Sequence, residues 1–254
     1  MIEKQFGGTG KIIVQGHRGA LGHVPENTLP SFEAGYKMGA DVLELDVHLS
    51  ADNQLVVMHD PEVSRTTNGT GRIKDMTVKQ IKELDAGIHF SEKYANTRVP
   101  LLSEVLEWAK DKIPLIIEIK GDPFPAPGIE KMVVDEVTKF DMLDKVLVIS
   151  FYHESVKKIK EYSSILTGIL YTGRPIDPVQ MTRQANADSF RCYWKYLHAD
   201  DIKMAHEAGM WVSCWGADTE EDFAQVAEIG IDSIGCNYPD RLRKWLDERN
   251  LGIR

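Results

Sequence analysis

Seven side chains able to do chemistry fall in or just after short apolar runs. His17 and Arg18 follow Ile12–Gln15, and Glu44 and Asp46 lie within Val42–Leu49. His59 follows Leu55–Met58, while Glu118 and Lys120 close Leu115–Lys120. Two imidazoles, two cations and three carboxylates meeting at strand ends would supply what phosphodiester hydrolysis needs. An acid and a base would move protons, positive charge would hold the phosphate, and carboxylates would hold a metal.

Glu44 and Asp46 are two apart on an extended strand, so both point to one face. Val42, Leu43, Leu45, Val47 and Leu49 leave no solvated side, so that face is the interior of a barrel at its mouth. Two buried carboxylates repel unless a cation neutralises them. Glu118 adds a third, and Lys120, two residues on, points into the same mouth. An oxygen-only donor set favours Mg²⁺ or Ca²⁺ over zinc. Arg18 offers a planar donor fork for phosphate oxygens. Gly19 permits close backbone approach or a positive φ. Asp60 either orients the His59 imidazole or caps the turn that follows. The two histidines are assigned general acid–base work, with His17 expected as acid and His59 as base.

The elements that must position these residues alternate. Strands are expected at Ile12–Gln15, Val42–Leu49, Leu115–Lys120, Val146–Phe151, Ile165–Tyr171, Ala187–Arg191, Trp211–Trp215 and Ser233–Gly235, with amphipathic helices between them. Continuously apolar strands and a βαβα rhythm mean a parallel sheet covered on both faces. The 254 residues match the ~250 typical of one (β/α)₈ barrel. Asn27 or Thr28 would cap the first helix, and Gly39, Gly209 and Gly230 fall at helix C-caps. Leu55–Met58 reads as an extra strand. Residues 61–100 read as an insertion after the second strand, lying over the C-terminal face of a barrel spanning 1–254. Its Thr66–Gly71 segment is turn-dense, and a short helix is expected near Thr77–Leu84.

The net charge of −9, with no Lys/Arg-rich block, excludes a nucleic-acid surface. Cys192, Cys214 and Cys236 form no CxxC and no disulfide framework, so they read as buried apolar groups. The N-terminus lacks the apolar core of a signal peptide, and no run approaches ~18 apolar residues. A cytoplasmic location without stable membrane insertion is expected, although a trimmed secreted chain would look similar. No motif specifies an oligomeric state.

The ordered set His17-Arg18-Gly19, Pro25-Glu26-Asn27-Thr28, Glu44 and Asp46, His59-Asp60-Pro61, Arg65-Thr66-Thr67-Asn68-Gly69, Arg98 with Pro100-Leu101, Glu118 and Lys120, Ser150-Phe151 and Trp215 resembles the glycerophosphodiester phosphodiesterase family along nearly the whole chain. The resemblance implies a TIM (β/α)₈ barrel with a small insertion after the second strand. It implies one divalent cation on Glu44, Asp46 and Glu118, acid–base catalysis by His17 and His59, and phosphate held by Arg18 and Lys120. Trp215 would be a pocket residue for glycerol or a choline ammonium. The implied reaction releases glycerol 3-phosphate and an alcohol from a small-molecule glycerophosphodiester. Two segments depart from the family pattern. Cys236-Asn237-Tyr238-Pro239 stands where Thr-Asp or Thr-Asn usually precedes x-Pro, and Gly216-Ala217 stands where Thr usually follows the Trp. The nearer alternative is a lysophospholipase D or other lipid phosphodiesterase on the same barrel. The distant one is a non-catalytic metal- or phosphate-binding module.

Overall fold

The computed structural model of the chain describes residues 5–253. Its first half runs β1 (Ile13–Gly16), α1 (Leu29–Lys37), β2 (Val42–Leu49), β3 (Leu55–Val57), α2 (Val78–Glu83), α3 (Leu102–Ala109), β4 (Leu115–Ile119) and α4 (Ile129–Lys139). The second half is regular, with β5 (Val146–Ser150), α5 (His153–Tyr162), β6 (Leu166–Tyr171), α6 (Pro178–Gln184), β7 (Ser189–Tyr193), α7 (Ala199–Glu207), β8 (Trp211–Trp215), α8 (Glu220–Glu228), β9 (Ser233–Cys236) and α9 (Pro239–Asp247). Eight strands pair in parallel, and β1 pairs with both β9 and β2, which closes the barrel. Among the described strands β3 alone is antiparallel, hung on the outer end of β2. This is the expected (β/α)₈ barrel.

Strand parity separates two apolar layers. Leu43, Leu45 and Val47 point outward to pack under the helices with Leu106, Val133 and Phe32. Val42, Ile13, Ile116, Leu147 and Trp211 point inward, and Phe6 plugs the barrel's lower end against them. Above this plug the inward positions turn polar: Gln15, Glu44, Glu118, Arg191 and Ser213 are all buried. The same period-2 alternation that builds the floor therefore delivers acids and cations to the mouth.

Helix ends follow the local chemistry. The Thr28 side chain caps α1 by accepting from the Ser31 N–H, with Pro30 in the first turn. Gly39, Gly209 and Gly230 take positive φ just beyond α1, α7 and α8. The segment between β3 and α3 builds its own small core from Met58, Val63, Ile73, Ile81, Ala86 and Val99. It carries Asp60 and Arg65 beside His59. Among the described residues no helix is long and apolar enough to cross a membrane.

Candidate active site

The turn after β1 sets the first side chains. Arg18 and Gly19 both adopt positive φ, 49° and 89°. A Cβ on Gly19 would lie 2.5–2.7 Å from Ser31 atoms, so only glycine fits there. Strain at the non-glycine Arg18 is offset by bonds at both of its peptide groups. Its N–H donates to Glu44 Oε2 at 2.9 Å, and its carbonyl accepts from Ser31 Oγ and the Asn27 N–H. The Arg18 guanidinium donates to Glu26 and lies 3.4 Å from Asp46 Oδ2.

Glu44, Asp46 and Glu118 converge. One oxygen from each lies within 4.8 Å of the others, and all three residues are buried. Asp46 and Glu118 are register partners across β2 and β4. Burial would raise the Asp46 carboxyl, but Lys120, Arg18 and His59 together hold it well below the usual range. Burial, Asp46 and Glu118 push Glu44 well above it. Burial pushes Glu118 up to about 7, against the opposing charge of Lys120. Two carboxyls that resist ionisation beside a third that is ionised form a site short of positive charge. The all-oxygen donor set suits a hard divalent cation.

His17 Nε2 is 4.0 Å from Glu44 Oε2, and its Nδ1 lies 2.7 Å from Asn237 Oδ1. Burial and the Arg18 charge lower the His17 pKa to about 4. His59 Nδ1 lies 2.6 Å from Asp60 Oδ1, so Asp60 orients the imidazole. Arg65 ties Asp60 to Glu26, which also holds Arg18. His17, Arg18, His59, Glu118, Lys120 and Trp215 line one cavity of about 290 Å³. Trp215 walls it, with Tyr193 5.0 Å and Phe151 6.4 Å away between ring centroids.

Sequence reading missed several supports. Asn27 pins Asp46, donating to Oδ2 at 2.8 Å while its Oδ1 accepts the Asp46 N–H. His48 bonds the His59 carbonyl at 3.0 Å. Arg191, which opens the aromatic-rich run Arg191–Tyr196, points inward. It donates to Gln15 Oε1 and Ser213 Oγ, and its Nε and Nη2 have no hydrogen-bond partner among the described residues. Its position, two residues before the inward Tyr193 at the end of β7, was the available signal.

A closed (β/α)₈ barrel that gathers acids, cations and imidazoles at one mouth has the architecture of an enzyme. The family model for the glycerophosphoryl diester phosphodiesterase family matches residues 17–241. A glycerophosphodiester phosphodiesterase of Caldanaerobacter subterraneus subsp. tengcongensis is 37% identical over 234 residues, covering 91% of this chain and 96% of its own. The crystal structure of a glycerophosphodiester phosphodiesterase from Parabacteroides distasonis is similar at TM-score 0.80 and 26% identity, over 96% of this chain and all of that one. An Oleispira antarctica phosphodiesterase, solved in complex with the product sn-glycerol-3-phosphate, shares the fold at TM-score 0.84 and 24% identity, over 93% of this chain and 97% of that one. The chain belongs to the glycerophosphoryl diester phosphodiesterase family.

Proposed function

We propose that the chain hydrolyses glycerophosphodiesters to glycerol 3-phosphate and an alcohol. The observation that carries this is the placement of two imidazoles, His17 and His59, on one cavity with a buried three-carboxylate cluster and two cations. A binding module for metal or phosphate would need no acid–base pair. The names and overall likeness of the relatives support the same reading.

Glu44, Asp46 and Glu118 would hold the divalent cation, Mg²⁺ or Ca²⁺. When bound, it supplies positive charge against the phosphate oxygens as charge grows in the transition state. Arg18 and Lys120 add fixed donors there. Arg18 Nε lies 3.4 Å from Asp46 Oδ2, so the guanidinium is held in place by Asp46 and Glu26 while the residue lines the cavity. One imidazole takes the proton of the attacking oxygen, either water or the glycerol 2-hydroxyl, and the other protonates the departing alkoxide. Trp215 and Phe151 offer an apolar wall for glycerol or for a quaternary ammonium.

The test is release of glycerol 3-phosphate from glycerophosphocholine. Turnover that falls about 10²–10⁴-fold in both His17→Ala and His59→Ala supports the reading. Turnover unaffected by either change sinks it.

A second reading has its own observation. Four successive βα loops present exposed apolar side chains at the mouth: Phe124 at 74%, Phe151 at 44%, Ile176 fully and Tyr196 at 42%. Such a rim suits an acyl chain and favours a lysophospholipid substrate. Faster turnover of lysophosphatidylcholine than of glycerophosphocholine would select this reading.

A further inference from the structure

We propose that Asp218 and Asn237 are positioning residues that lock His17 in one tautomer, with its Nε2 kept for proton transfer on the cavity. The role in turnover rests on the phosphodiesterase reading above; the tautomer does not.

The lock follows from which atoms can donate. Asp218, on the loop after β8, accepts two bonds from Asn237, just beyond β9. The Asn237 backbone N–H reaches Oδ1 and its side-chain Nδ2 reaches Oδ2, both at 2.7 Å. A carboxylate offers only acceptors, so the amide end facing it must be the NH₂. That fixes the flip of an amide whose two ends are otherwise hard to tell apart. Asn237 Oδ1 is thereby turned to His17 Nδ1 at 2.7 Å. An amide oxygen also only accepts, so Nδ1 must carry the hydrogen. The His17 backbone is tied to the same strand end, its N–H donating to the Cys236 carbonyl at 3.0 Å. Nε2 is left with a bare lone pair beside Glu44, on the cavity.

His59 differs in its partner. Its Nδ1 faces the Asp60 carboxylate at 2.6 Å, and a carboxylate stabilises an imidazolium where a neutral amide oxygen does so far less. Burial lowers the His59 pKa as it does that of His17, and both rings, with Nδ1 donating, carry their lone pair at Nε2 when neutral. As the new P–O bond forms, one ring takes the attacking O–H proton at Nε2. As the old P–O bond breaks, the other ring, protonated at Nε2, gives that proton to the alkoxide.

Nitrogen NMR of the resting, histidine-labelled protein reads the tautomer directly. The expected result is a pyrrole-type Nδ1 and a pyridine-type Nε2 on His17; the reverse pattern overturns the proposal without any variant. Asp218→Asn removes the acceptor-only anchor and frees the amide to flip. Its His17 should populate both tautomers, and kcat on glycerophosphocholine should fall about 10²-fold, within the range of an acid–base contribution. KM should stay within about twofold. The double swap Asp218→Asn/Asn237→Asp restores an acceptor against Nδ1, and should recover at least tenfold of the loss together with the single tautomer. Wild-type kcat in Asp218→Asn, or no recovery in the swap, overturns the positioning role. Absence of turnover in the wild type would instead refute the phosphodiesterase reading and leave the tautomer result standing.

Discussion

Lys120 Nζ bridges Asp46 and Glu118, lying 3.1 Å from the Oδ1 of one and 2.7 Å from the Oε1 of the other. The two acids are register partners on adjacent strands, so the lysine offsets a repulsion that the sheet imposes. It does not offset all of it, because Glu44 and Glu118 both still hold their protons more tightly than ordinary carboxyls.

That excess gives a pH dependence of stability. Glu118 in the folded, metal-free protein keeps its proton up to about 7, whereas an unfolded Glu releases it near ~4.3. The contribution is complete below the unfolded value and is lost as pH rises through about 7. His17 acts oppositely, because its folded pKa is lowered to about 4 from ~6.5. Its contribution is complete above the unfolded value and is lost as pH falls toward about 4. The two oppose each other between about pH 4.3 and 6.5, and above that window the raised carboxyls of Glu118 and Glu44 set the direction. Thermal denaturation of metal-free protein should show Tm falling from pH 6.5 to 8.5. Saturating Mg²⁺ or Ca²⁺ should remove the fall, and Glu118→Gln should reduce it without metal. A flat or rising Tm over that range would contradict the account.

Asp60 should matter through His59 alone. Asp60→Asn leaves the ring in place but weakens support for its imidazolium. Steady-state kinetics should show kcat reduced by at least about tenfold with KM little changed. Combined with His59→Ala it should add almost nothing, since the two act as a unit. Additive losses would place Asp60 in a separate role, such as holding Arg65.

Arg191 is a buried cation that, among the described residues, is hydrogen-bonded only to the neutral Gln15 and Ser213, and burial lowers its pKa to about 10. Such a charge costs stability, and replacing it with an apolar side chain of similar length is often neutral or stabilising. Arg191→Met should therefore leave Tm unchanged or higher while kcat/KM falls about tenfold or more. A lower Tm with full activity would make the residue structural.

Gly19→Ala tests the turn that aims Arg18. The added methyl meets Ser31 and must adopt a φ of 89°, so a loss of about 2 kcal/mol or more is expected in denaturant titration. A loss under about 0.5 kcal/mol would mean the turn relaxes freely.

Much of this molecule was legible from residue order because barrel strands carry two signals at once. Leu43, Leu45 and Val47 made the outward face apolar, so the acids between them had to face inward. Leu115–Ile117 did the same for Glu118. The supports were illegible for a physical reason. Asn237 and Asp218 leave the ends of different strands, and Asn237, held by Asp218, meets His17 only when the barrel closes through β1 and β9. Arg191 stands in the aromatic-rich run Arg191–Tyr196, where nothing but strand parity marks it as facing inward. Asn27 was read as a possible helix cap, a role that Thr28 fills, while Asn27 holds Asp46.

The most direct test measures glycerol 3-phosphate release from glycerophosphocholine with Mg²⁺, with Ca²⁺ and with EDTA, for the wild type beside Glu44→Gln. Release is expected with at least one of the two ions, none with EDTA, and none above background from the variant under any condition. Near-native release by Glu44→Gln, or release by the wild type that EDTA leaves intact, would contradict a metal held by Glu44, Asp46 and Glu118.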